Sequence, residues 1–301
     1  MTPFSPERAE NSVLEEFEKF RSKIEPTEKE KDSISASHIK MRTILKNSVE
    51  LSVVDTFLTG SYARQTMIRP LKDVDFFVQI NYGRHKNDSS IQLLKKVRRV
   101  LRSAYSLTPM TIVPPCVKVK FNFCHFEVVP AIGRKGNADL FEIPSNSGRG
   151  WQFAYPKIPD NWMTQENKKA GGFFKPTIKM LKRWRDVHNV PLRSFHLEML
   201  ARLAFKYYNI KNYAQGVWAF FKRTNDLMDL YKRTPFIEEP GRTNVYVDQY
   251  LYNDLVKLKI VRRRIALYYG YAQRAFDCVS KGRAGAAKRL WRNIFGNAFF
   301  V

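Results

Sequence analysis

Only three cysteines occur in the 301 residues, Cys116, Cys124 and Cys278. An odd number without CxxC spacing excludes a disulfide framework and a cysteine-built zinc site, and points to an intracellular, cytoplasmic protein. The first twenty residues, MTPFSPERAENSVLEEFEKF, lack a basic flank followed by an apolar run. Nothing further along approaches the roughly 18 uninterrupted apolar residues of a membrane span, so neither a secretory signal nor a membrane partner is expected. The five histidines show no metal-ligand spacing among themselves and read as structural or surface residues. Internal repeats and low-complexity tracts are also missing. With 44% hydrophobic and 14% aromatic residues, the chain has the material for a substantial core.

Acidic residues are scarce relative to their opposites: 28 Asp and Glu stand against 52 Lys and Arg, a formal charge of +24. A potential of that size attracts polyanions such as nucleic acids and nucleoside triphosphates. The excess is uneven. The first fifty residues are nearly balanced, whereas the last fifty carry a dense run of Lys and Arg against only Asp254 and Asp277. Arg262, Arg263, Arg264, Arg274, Lys288 and Arg289 are therefore candidate contacts to nucleic acid. Successive helix residues are separated by about 100°, so the three consecutive arginines cannot all face one ligand.

Helical periodicity marks residues 5–24 and 35–50, through Val13, Leu14, Phe17 and Phe20 and then Ile39, Met41, Ile44 and Leu45. The pattern then changes to short β-branched and aromatic runs, SVVDTFLTG, KDVDFFVQIN, CVKVKF and FEVVPAI, with the amphipathic stretch IQLLKKVRRVLRSAY between them. A small mixed sheet with flanking helices is expected. After the Pro- and Asn-rich stretch EIPSNSGRGWQFAYPKIPDNW, the pattern is helical to the end. The expected fold class is α+β and bilobed, with residues 1–155 forming the N-terminal helices and sheet core, residues 156–301 a C-terminal helical lobe, and a central cleft.

One window concentrates the chemistry: LTGSYARQTMIRPLKDVDFFV. Gly60 permits close backbone approach to an anion, and Ser61 with the amides that follow suits a triphosphate. Asp73 and Asp75, two apart on a strand, project from one face and suit hard divalent cations. If CVKVKF and HFEVVPA form a hairpin, Glu127 joins them. Three carboxylates sharing two Mg²⁺ ions, or Mn²⁺, can activate a hydroxyl and steady a leaving pyrophosphate, which is the chemistry of nucleotidyl transfer.

Gly60-Ser61 with Thr66, followed by Ile68 to Asp75, resembles the active-site signature of polymerase-β-type nucleotidyltransferases, specifically the bacterial cyclic-oligonucleotide synthases (CD-NTases) related to cyclic GMP-AMP synthase. IKMLKRW, RSFHLE and LWRNIFG are similar to the helical lobe of that family. The resemblance implies a polymerase-β-like core and assigns donor-triphosphate contacts to Lys182 and Ser194, with Phe195 stacking on a base. Two positions depart from the pattern: Gln65 stands where many members have Gly, and Glu127 where Asp is common.

These readings converge on a metal-dependent enzyme that joins nucleoside triphosphates into a cyclic di- or trinucleotide. By resemblance it serves anti-phage (CBASS-type) defence, with structured or double-stranded RNA as an activator and a separate effector protein answering to the product. An RNA-terminal nucleotidyltransferase, such as a tRNA 3′-end-adding or tailing enzyme, shares the same carboxylates and also suits the charge. A catalytically idle RNA-binding module is disfavoured by the intact Asp73, Asp75 and Glu127.

Overall fold

The computed structural model describes residues 5–134, 137–235, 237–240 and 245–300. The chain divides into two compact units, one of residues 26–162 and one that combines residues 1–25 with 163–301.

The first unit is a seven-stranded sheet with helices. Helix α2 (Glu28–Lys46) starts on a reciprocal capping box between Thr27 and Glu30. Strand β1 (Val53–Thr59) leads through a single turn, α3 (Gly60–Ala63), into β2 (Asp73–Ile80). The short α4 (Tyr82–His85) precedes α5 (Ser90–Ala104), whose start is fixed by a second capping box, Ser89 with Gln92. Strands β3 (Met110–Val113), β4 (Cys116–Lys120), β5 (His125–Arg134), β6 (Asn137–Pro144) and β7 (Trp151–Ala154) complete the sheet. Its order is β1-β2-β5-β4-β3, with β6 pairing β5 and β7.

Alternation decides which face is which. Val74, Phe76, Val78, Phe126 and Val128 pack with Leu93, Leu94 and Val97 of α5 and with Met41 and Leu45 of α2. The opposite face carries Phe77, Val129 and Phe141 in a smaller apolar cluster at one end. At its other end stand the carboxylates of β2 and β5. The β4–β5 hairpin expected from the sequence is present, and β5 then runs parallel to β2.

The second unit is helical. It holds α1 (Pro6–Ile24), most of α6 (Ile158–Lys169), α7 (Phe174–Val187), α8 (Ser194–Tyr207), α9 (Tyr213–Tyr231), α10 (Gln249–Tyr252), α11 (Leu255–Ser280) and α12 (Ala284–Phe295). Two features differ from the division expected at residue 155. The boundary falls inside α6, where Pro159 and Asn161 sit in the first turn, a place that tolerates a proline because its missing amide has no partner to lose. Helix α1 also belongs to the helical unit: Phe17 meets Trp291 and Phe299 at ring-centroid distances of 5.0 and 4.9 Å, and Phe20 meets Phe295 at 4.7 Å. Among the described residues no helix is long and apolar enough to cross a membrane.

Candidate active site

Strand register assembles the carboxylates. Asp75 of β2 lies directly opposite Glu127 of β5, and Asp73 opposite His125. On the far side of β5, Lys118 of β4 is the partner of Glu127. Residues that share a register position share a face, so Asp75, Glu127 and Lys118 form a row across three strands with Asp73 beside it.

The loop after β1 lies against this row. Gly60 has φ +69°, and a Cβ placed there would stand 1.7 Å from Oδ2 of Asp75. The glycine therefore does admit close approach to an anion, and that anion is the protein's own carboxylate. The amides of Arg64, Gln65 and Thr66 close the turn onto the carbonyls of Gly60, Tyr62 and Ser61 at 3.1, 2.9 and 2.9 Å. Gln65 occupies the left-handed region at φ +58°, a conformation that glycine adopts at less cost than any residue with a side chain. Ser61 is half-buried, but Thr66 has no exposed surface. Thr66, expected among the nucleotide contacts, lies on the inner side of the turn.

Electrostatics separates the three carboxylates. Burial pushes the Asp75 carboxyl up to about 6, with Glu127, Asp73 and Asp160 adding to the effect and Arg64 opposing it. Asp73 and Glu127 are served by Lys118, whose Nζ lies 3.0 Å from Asp73 Oδ1 and 2.8 Å from Glu127 Oε1. Burial works against that ammonium, but the bonds to Glu127 and Asp73 outweigh it and hold the lysine well above its ordinary range. Arg64 reaches Asp160 at 3.5 Å. Burial raises the thiols of Cys116 and Cys124 to about 12, so both are protonated at neutral pH.

The expected convergence of three carboxylates on metal is only partly preformed. Among the described residues no three carboxylate, imidazole or thiol groups are gathered into a ligand set for one ion. Lys118 spans the gap instead. The donor chemistry nonetheless suits hard divalent cations: all three groups supply carboxylate oxygen, and Asp75 stands directly opposite Glu127 with Asp73 on the same face of β2.

In the helical unit the expected contacts fare differently. Lys182 on α7 is 3% exposed and its Nζ lies 2.7 Å from Glu198 Oε1 on α8. Lys182, expected at the donor phosphates, is in this structure paired with a buried glutamate, because the apolar face of α7 turns it inward with Ile178, Leu181 and Trp184. Ser194 and Phe195, at the start of α8, are half-exposed. The Ser194 hydroxyl accepts a 2.6 Å hydrogen bond from Arg185 Nη1, and Arg185 is a residue that sequence reasoning passed over. A cation preceding the RSFHLE segment by one helical stretch was the available signal.

The six basic candidates do not form one surface. Arg262 pairs with Asp229 at 3.6 Å, and Lys288 turns toward Glu16 at 3.7 Å with a largely buried side chain. Arg264 hydrogen-bonds Tyr268, while Arg263 is exposed on α11. Arg274 and Arg289 instead line a groove of about 770 Å³ at the α11–α12 turn, together with Lys281, Arg283 and Arg292.

Comparison with known proteins matches these features. The profile of the Second Messenger Oligonucleotide or Dinucleotide Synthetase domain covers residues 12–167. A cyclic AMP-AMP-AMP synthase from Acinetobacter is 29% identical over 304 residues, spanning 96% of this chain and 85% of its own. The CBASS oligonucleotide cyclase CdnC of Escherichia coli is 24% identical over 179 residues, 53% of this chain and 54% of its own. In fold, the structure of Escherichia coli CdnC with HORMA-deltaN superposes with a TM-score of 0.78 at 17% identity, over 96% of this chain and 98% of that one. The apo form of Vibrio cholerae DncV gives 0.73 at 14% identity, over 93% of both chains. A sheet unit carrying the Gly60 turn and the carboxylate row, matched over more than half the chain by that profile, places the protein in the second messenger oligonucleotide or dinucleotide synthetase family, the bacterial CD-NTases, which are nucleotidyltransferases.

Proposed function

We propose that this CD-NTase joins three ATP molecules into a cyclic triadenylate that serves as an anti-phage signal in the cytoplasm, where a separate effector protein responds to it. The reaction class rests on one observation: Asp75 and Glu127 sit in register, with Asp73 on the same face, and Asp75 packs against the Gly60 turn. The product reading is supported by likeness to the cyclic AMP-AMP-AMP synthase along 96% of the chain.

Asp73, Asp75 and Glu127 would hold the divalent metal ions, Mg²⁺ or Mn²⁺, which when bound would acidify the attacking hydroxyl and offset charge on the transferring phosphate. The remaining work belongs to the chain's own groups. Ser61 donates its hydroxyl to donor phosphate, while Arg64 offsets negative charge beside Asp75. Ser194, held by Arg185, is a second phosphate donor, and Phe195 stacks on a base. Lys182 supports α7 and α8 through its pair with Glu198. Glu127, longer by one methylene than the aspartate common in the family, orients the 3′ or 2′ hydroxyl.

Incubating the protein with labelled ATP and Mg²⁺, followed by phosphatase treatment and mass spectrometry, tests this. A phosphatase-resistant ring of three AMP units, absent with Asp75→Asn, is the expected result. A two-unit ring overturns the product reading, and label found only in added RNA makes the chain an RNA-terminal transferase.

A second reading concerns activation. The α11–α12 groove gathers Arg274, Lys281, Arg283, Arg289 and Arg292 around the single acid Asp277, which favours docking of a structured RNA phosphate backbone there. Absence of an RNA mobility shift at low salt overturns it.

A further inference from the structure

We infer that Lys118 is a built-in countercation: a positioning residue that holds Asp73 and Glu127 while no divalent ion is bound and competes with metal for those same two carboxylates. This rests on the reading of Asp73, Asp75 and Glu127 as the metal-holding set.

The geometry is unusual for an ordinary cross-strand pair. Lys118 faces Glu127 across the β4–β5 ladder, and a pair with that neighbour alone would satisfy its charge. Its ammonium continues beyond it. Neighbouring strands lie about 4.8 Å apart, so reaching Asp73 on β2 means extending over the whole width of β5. That extended conformation fixes a side chain with up to about 2 kcal/mol of rotamer entropy to lose. It is nonetheless held, with 3.0 Å to Asp73 Oδ1 and 2.8 Å to Glu127 Oε1, and only 22% of the side chain exposed. One cation thus bridges Asp73 and Glu127, and among the described residues Asp75 takes no ion pair.

The charge balance explains what the bridge does. Without any cation, carboxylates on adjacent positions of β2 and β5 repel one another, and the strands alone do not hold their side chains together. The ammonium supplies one positive charge through three donors, and it is tethered by a flexible stem that can swing away. A divalent ion brings twice the charge and a stronger preference for carboxylate oxygen. Metal loading is therefore an exchange of one cation for another, in which Lys118 leaves its two partners. Its presence weakens metal binding and keeps the metal-free site assembled.

The test is Mn²⁺ binding to the full chain without nucleotide, read by electron paramagnetic resonance, for wild type, Lys118→Met, Lys118→Arg and Asp75→Asn. Lys118→Met is expected to bind Mn²⁺ on the order of tenfold more tightly than wild type, and Lys118→Arg, which keeps the charge, to return toward wild type. In the same series the metal-free melting temperature should fall with Lys118→Met and recover on adding Mn²⁺, a pairing that a merely structural lysine does not produce. If Lys118→Met does not fold, Lys118→Gln carries the same expectation. Unchanged or weaker Mn²⁺ binding without the ammonium, in a protein whose wild-type binding is lost with Asp75→Asn, overturns the competition while leaving the metal set intact. Wild-type binding that survives Asp75→Asn overturns the metal set itself, and Lys118's role with it.

Discussion

A methyl group at residue 60 would collide with the Asp75 carboxylate, at 1.7 Å from Oδ2, and would also hold an L-residue at φ +69°. Gly60→Ala must therefore displace either the turn or the Asp75 carboxylate proposed to hold metal. It should lower turnover by at least about 100-fold, in line with the sensitivity of catalysis to misplacement of about 1 Å. The accompanying strain is about 1–3 kcal/mol, measurable as a fall in urea midpoint. Asp75 itself carries a pH prediction. Its carboxyl titrates at 3.8 in an unperturbed chain and at about 6 in the fold, so between these values the folded state binds the extra proton. Ionisation above pH 6 therefore works against folding, and the penalty is fully present at pH 8. Asp75→Asn should melt a few degrees higher than the metal-free wild type at pH 8. That gain should fade as pH falls through 6 toward 4, with both curves followed by scanning fluorimetry. Equal melting temperatures at pH 8 would contradict it. The carboxylates were legible in the sequence because strand alternation is a local rule and Asp73 and Asp75 sit two apart. Lys118 was not, since its partnership exists only once β4 has its register against β5.

At the scale of elements, the paired helices α7 and α8 carry a lysine and a glutamate with side chains 4% and 0% exposed. Removing one member of such a pair strands the other, at a cost of about 3–5 kcal/mol. Lys182→Met should thus be strongly destabilised in urea melts, and the double variant Lys182→Met with Glu198→Leu should recover most of the loss. If Lys182 works only through this pair, the double variant keeps an ATP KM within about twofold of wild type. A tenfold rise would return the lysine to the phosphates. The helix and its amphipathic period were readable, with Ile178, Leu181 and Trp184 marking the buried side. That Lys182 shares this side was equally implied by the spacing; what the spacing does not reveal is the acid waiting on α8. Similarly, Phe17 and Phe20 announce an apolar face on α1, but which partner covers it depends on Trp291, Phe295 and Phe299 at the other end of the chain. Helix α6 was passed over because Pro and Asn in its first turn read as loop composition.

For the molecule as a whole, the +24 charge sets how it meets polyanions. Each phosphate neutralised by a cation adds close to one unit to the slope of log affinity against log salt. Reversing Arg283 and Arg289 in the α11–α12 groove should lower duplex RNA affinity at low salt and flatten that slope by about 2 units. The ATP KM should stay unchanged in the same protein. Fluorescence anisotropy at several salt concentrations measures both quantities, and an unaltered slope would move any RNA contact elsewhere. Charge was visible from composition alone, yet its partition was not. Arg262 and Lys288 spend theirs on Asp229 and Glu16, whereas Lys281, Arg283 and Arg292 join Arg274 and Arg289 around one depression.

Helix α1 and residues 163–301 form one compact unit, although the entire sheet unit lies between them in the chain. Synthesis runs from the N-terminus, so α1 leaves the ribosome long before Trp291, Phe295 and Phe299 exist to cover Phe17 and Phe20. The sheet unit, complete in sequence by residue 162, can close first. Until α12 emerges, the nascent protein carries a finished sheet unit while the aromatic face of α1 is bare. That interval is where chaperones have a surface to hold, and where a stalled chain is most prone to aggregate.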